Sequence, residues 1–167
     1  MEDEQGEVAE KFDHFIGVME ETLLDFHLGV ITTDLDNPEQ RGKLQGVPPV
    51  LNRDVDGYSD LFKERVQVGT EGSDMEKGID AVIEALSEPM VSGANNGFLR
   101  EGATLSVVYV SDENDCSDRG SLVNYDDADV CYDQQDKLVQ VRDLIDDYVA
   151  IKQGEERILV SAIVGPE

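Results

Sequence analysis

Basic residues are scarce in this 167-residue chain: 13 Lys and Arg face 38 Asp and Glu, for a net charge of −25. Nucleic acid and anionic membrane surfaces both demand a basic footprint, so this balance argues against either as a partner. Long apolar runs are missing as well. No stretch approaches the roughly 18 apolar residues that a membrane-crossing helix needs. The opening Met1-Glu2-Asp3-Glu4 is acidic and lacks the basic and apolar regions of a signal peptide. Cysteine is reduced to Cys116 and Cys131, and these are not spaced as Cys-x-x-Cys, so zinc-ribbon and thioredoxin readings have no support. No Gly-x-Ser-x-Gly elbow is present. His14 and His27 have no metal-ligand or nucleophile partner at useful spacing and read as structural. Internal repeats and low-complexity tracts are also absent.

What is present suffices for one folded domain spanning residues 1–167, with 40% hydrophobic residues to build a core. Three explanations compete for the acidity. A high-salt habitat would screen the self-repulsion, divalent cations would neutralise part of it, or the acids form a solvated face with no specific partner. The two cysteines flank a polar, irregular stretch, which suits a disulfide in an oxidising compartment; two unrelated free thiols are the alternative.

Periodicity divides the chain into alternating elements. Phe12, Phe15, Ile16, Met19 and Leu23 have the spacing of one helical face. Residues 26–33 read as a strand, and 34–57, with Asn37-Pro38 and Pro48-Pro49, as a long connection with at most a short hairpin near Lys43 and Leu44. Ser73 and Glu76 have capping-box spacing ahead of a helix lined by Met75, Ile79, Val82, Ile83 and Leu86. A strand over 105–111, an acidic loop over 112–136, a helix marked by Leu138, Val141, Ile145, Tyr148 and Val149, and a strand over 158–164 complete the order. The alternation predicts a doubly wound α/β domain with a mainly parallel sheet and helices on both faces. Oddly for such a fold, it opens on a helix rather than a strand.

The most informative residues lie at 104–118, where an apolar run, Val107-Val108-Tyr109-Val110, ends in Asp112, Asn114, Asp115 and Asp118. Consecutive apolar residues suit a strand buried on both faces of a parallel sheet. Ligands of open α/β sheets bind outside the carboxyl ends of the strands, which places Asp112 well to hold a metal or act on a substrate. The glycine-rich turn Gly69-Thr70-Glu71-Gly72-Ser73 lacks a Walker ending, so it reads as a hydroxyl supplier rather than a nucleotide site. Asn52 to Asp60 resembles the front of a calcium loop, but Lys63 stands at the twelfth position, and solvated acids in a turn are the better reading.

Together these pieces resemble the von Willebrand factor type A domain in its bacterial secreted or lipoprotein form. The resemblance rests on His27-Leu-Gly-Val-Ile-Thr-Thr-Asp34, Val68-Gly-Thr70-Glu-Gly-Ser73 leading to Glu76-Lys-Gly-Ile, Asn96-Gly-Phe-Leu-Arg100, Val107-Val-Tyr-Val-Ser-Asp112-Glu-Asn-Asp-Cys-Ser117 and Ser161-Ala-Ile-Val-Gly-Pro166. It implies a metal-ion-dependent adhesion site for Mg2+ or another divalent cation, with Thr70 and Asp112 as ligands. The family's Asp-x-Ser-x-Ser motif, which follows its first central strand, is not found. The resemblance thus implies a chain that begins just past it, with metal binding weak or absent. The implied function is extracytoplasmic binding of a protein or other macromolecule, not catalysis. A hydrolase or phosphoryl-transfer enzyme using Asp112, and an inert domain with a degenerate site, are the rival readings.

Overall fold

The computed structural model describes residues 2–70, 72–122, 129–154 and 157–164. Glu71 of the glycine-rich turn, residues 123–128 of the acidic loop and the Gly165-Pro166 ending lie outside them. Among the described residues five α-helices and two strands follow in the order α1 (Glu2–Glu21), α2 (Tyr58–Val66), α3 (Gly78–Ala85), β1 (Leu105–Ser111), α4 (Val130–Asp133), α5 (Val141–Lys152) and β2 (Ile158–Val164), with a short 3-10 turn at Gln135–Lys137 before α5. The protein is therefore mixed α/β, and its sheet is two-stranded and parallel.

β1 and β2 run in register from Leu105 opposite Ile158 to Ser111 opposite Val164. Both are rich in β-branched residues and carry no charge, which suits a pleated ladder. Parallel neighbours need a crossover connection, and α4 and α5 lie within it. Leu105 and Val107 point to one face, where they join Val82 of α3, Leu86 at its C-cap, and Leu144 and Tyr148 of α5 in the main core. The opposite face carries Val108, Leu159 and Ile163, which are 42–60% exposed.

Two smaller cores flank this one. Phe12 and Ile16 of α1 pack with Phe26, Tyr58 and Phe62, and the Phe12 and Phe62 rings stack at 3.9 Å. α2 was not foreseen by the turn-rich reading of its surroundings; its aromatic residues are what hold it against α1. The third core gathers Cys116, Leu122, Val130 and Cys131 with Met75 and Leu138. At its centre the Cys116–Cys131 disulfide is formed, with Cα atoms 5.6 Å apart. The free-thiol alternative is set aside.

Three local expectations are corrected. Residues 27–33 form no ladder strand: Leu28 makes a single antiparallel bridge to Leu51. The segment's other backbone bonds serve loops, Val30 O accepting from Gln45 N and Thr33 O from Lys77 N. The chain around Lys43 and Leu44, expected to carry at most a short hairpin, is held instead by that Gln45 bond and by the Asn95 side chain on Leu44 N and Gly42 O. The Ser73–Glu76 capping box does not form either. Ser73 Oγ donates to Asp36 (2.6 Å) and accepts from Met75 N, while Glu76 turns toward Ser111. The helix starts only at Gly78, because its caps come from elsewhere in the chain.

Candidate functional site

β1 delivers Ser111 and Asp112 to its carboxyl end, where strands of parallel sheets meet their ligands. Ser111 Oγ donates to Glu76 Oε2 (2.7 Å) and accepts the Glu113 amide (3.0 Å), which bends the chain directly after the strand. Asp112, Glu113 and Asn114 are exposed. The Glu76 carboxyl is pushed above the usual range, chiefly by burial, with the Ser111 hydrogen bond opposing and Asp112, Glu113 and Asp115 adding repulsion.

The acids that follow divide into two sets with different work. Asp115 Oδ2 accepts the Ile79 amide (3.0 Å) and its Oδ1 the Ser117 amide (2.9 Å). Ser117 Oγ accepts the Asp80 amide (2.9 Å), and Asp80 Oδ2 in return takes the amides of Asp118 and Arg119, each at 2.9 Å. Cys116 N donates to Glu76 O (2.7 Å). Asp115 and Ser117 thereby satisfy the Ile79 and Asp80 amides that the first turn of α3 leaves open, the role an N-cap side chain usually plays, and the remaining bonds fix their turn against it. Lys77, at the N-cap position, makes no side-chain cap bond of its own. Its ammonium instead meets Asp118 Oδ1 at 2.7 Å, and that carboxylate has no exposed surface. Asp118 Oδ2 also accepts the Leu122 amide. Burial pushes the Asp118 carboxyl up, yet Lys77 and the Leu122 amide outweigh it and hold it below its ordinary value.

Close packing fixes this arrangement. A Cβ on Gly78 would lie 3.1 Å from Asp115 Oδ2 and 3.2 Å from a Tyr109 ring carbon. Tyr109 and Tyr148 share a hydroxyl–hydroxyl hydrogen bond beneath the site. Burial raises both phenols, Tyr109 to about 12. The Cys116–Cys131 bridge then ties the capping turn to α4.

Thr70 lies on an exposed bend beyond α2. Its loop is tied to α1, since the Gln5 side chain donates to Gly69 O (3.0 Å) and accepts from Gly69 N (3.1 Å). The Thr70 hydroxyl has no hydrogen-bond partner among the described residues. Among those residues no group of three or more His, Cys, Asp or Glu converges in a way that could hold a metal ion. Asp115 and Asp118 spend their oxygens on α3, Lys77 and the Leu122 amide, so neither adds to the Thr70 and Asp112 that the resemblance implies as ligands. Two oxygens do not by themselves fit a divalent cation that takes six or more. His14 is exposed, and His27 Nδ1 lies 3.2 Å from Phe98 O, a structural contact. Sequence reasoning missed the buried Asn95, which bonds Leu44 N, Gly42 O and Ala85 O and so joins two segments to the end of α3.

Comparison with family models, curated proteins and solved structures finds no match to this chain.

Proposed function

We propose that this protein is a von Willebrand factor A-like ligand-binding module whose cation site is incomplete in this chain. On this reading the fold is the doubly wound one, β1 is the strand that presents the cation-side acid, and the partner is an extracytoplasmic macromolecule bearing an acidic group. One observation carries the reading: an exposed carboxylate, Asp112, stands directly after an apolar parallel strand, on a turn held by Ser111 and Glu76. The disulfide supports an oxidising compartment. The missing Asp-x-Ser-x-Ser motif accounts for a ligand set too small to close around a cation.

Calorimetry with Mg2+ or Mn2+ tests the proposal. The 167-residue chain should bind weakly or not at all. A variant with a strand ending in Asp-x-Ser-x-Ser joined ahead of α1 should bind tightly, and Asp112→Ala should abolish that binding. No binding by the extended variant, or strong binding by the present chain, would overturn the assignment. The inert-domain reading is favoured by the inward use of Asp115 and Asp118, and it requires that the extended variant stay silent.

A further inference from the structure

We propose that Asn96–Gly97 is a built-in site of spontaneous deamidation, at which this chain converts an amide to an aspartyl or isoaspartyl residue in the folded state. The reaction needs an unengaged asparagine side chain and a following backbone amide that is open to approach. The sequence holds six asparagines, and the structure sorts them. Asn37 precedes Pro38, which has no N–H to attack with. Asn52 Oδ1 accepts the Asp54 amide (2.9 Å), and the next residue is the bulky Arg53. Asn95 is 2% exposed, with both polar ends of its side chain bonded. Asn114 Nδ2 reaches the Tyr132 hydroxyl, and Asp115 follows it. Asn124 lies outside the described residues.

Asn96 differs from all of these. It is exposed, and its side chain has no hydrogen-bond partner among the described residues. Gly97 is exposed with nothing within 4 Å of where a Cβ would stand, and its φ of 88° is the left-handed value that glycine adopts freely. The Phe98 N to Asn95 O bond (3.1 Å) closes the turn, and the Gly97 amide has no backbone partner among the described residues, which leaves it open to attack. Asparagine in such a setting is thermolabile. The Gly97 nitrogen attacks Cγ of Asn96, forming a C–N bond and a cyclic imide, while the side-chain nitrogen departs as ammonia with the amide proton. Solvent water then opens the imide at either carbonyl. One opening leaves an ordinary aspartyl residue in place of Asn96; the other gives isoaspartate and adds a methylene to the main chain.

Location gives the change a structural consequence. Asn95, one residue earlier, anchors Gly42, Leu44 and Ala85, and Phe98, two residues later, packs on the main core. A longer main chain between them pulls on both anchors, whereas simple conversion to aspartate adds only another exposed negative charge.

The test is peptide mapping by mass spectrometry of the native protein after incubation in mildly alkaline buffer. The peptide carrying Asn96 should gain one mass unit and separate into two products, one of them a substrate for isoaspartyl-specific methyl transfer. Asn52 and Asn95 should keep their amides. Asn96→Gln should remove the acidic shift that native isoelectric focusing otherwise develops. An Asn96 that persists in the folded protein and reacts only after denaturation would overturn the proposal, as would an equal acidic shift in Asn96→Gln.

Discussion

Replacing Lys77 with methionine should be among the most damaging single changes near the site, although it removes only one charge. Met fills much of the volume of the lysine stem, so packing is largely kept and the loss isolates the ammonium. The ammonium sits 2.7 Å from a carboxylate with no exposed surface. Removing one partner of a buried pair typically costs about 3–5 kcal/mol, because the other charge is left uncompensated. Here the Leu122 amide still donates to Asp118, which sets the expectation at about 3 kcal/mol. With a urea slope of about 2 kcal/mol per molar, the unfolding midpoint should fall by roughly 1.5 M. The pH dependence supplies a second reading. In the native protein the Asp118 carboxyl is held below its unfolded value, so its stabilisation is complete above about pH 3.9 and is lost as pH falls through the folded value. In Lys77→Met the main opposing influence is gone and burial raises that carboxyl. The gap between native and variant should therefore narrow on acidification. Urea melts followed by far-UV circular dichroism at neutral and acidic pH measure both effects. A loss below about 1 kcal/mol, the range of exposed ion pairs, would refute the argument, and so would a gap indifferent to pH.

Other perturbations test neighbouring links. Gly78→Ala should destabilise by about 1–3 kcal/mol, since the new methyl meets Asp115 Oδ2 and the Tyr109 ring; an unchanged thermal midpoint would show that these groups can retreat freely. Glu76→Gln should equal or exceed the native protein in stability at neutral pH. A carboxyl raised by burial costs stability as pH climbs from its unfolded value through its folded one, and the amide avoids that cost. Its advantage should vanish in acid; an advantage that persists there would contradict the sign. Alkylation without reductant, read by mass spectrometry, should find no free thiol, and Cys131→Ala should lower stability by about 3 kcal/mol for a bridge of this span.

How far the sequence could be read depended on whether an element's partners were themselves legible. β1 and β2 announce themselves through uncharged β-branched runs, and their pairing needs nothing beyond each other. Residues 26–33 carry a similar composition, yet Val30 and Thr33 give their carbonyls to the Gln45 amide of a loop and the Lys77 amide at the N-cap of α3. Strand propensity describes a surface that fits a sheet and does not supply the neighbouring strand. α2 was legible and overlooked: Tyr58, Leu61, Phe62, Arg65 and Val66 have helical spacing, obscured by the turn residues just before them. The acids after β1 show most plainly what spacing alone cannot decide. Asp112, Asp115 and Asp118 look interchangeable in the sequence, but one is solvent-facing and two are turned inward. The deciding fact lies some forty residues away, at the start of α3. There Glu76-Lys77-Gly78 offers no Ser, Thr, Asp or Asn at the N-cap, and the amides of Ile79 and Asp80 must find acceptors in another segment. A helix that cannot cap itself therefore recruits Asp115 and Ser117, and the disulfide beside them secures the turn. Asp112, which α3 does not use, stays exposed at the carboxyl end of β1.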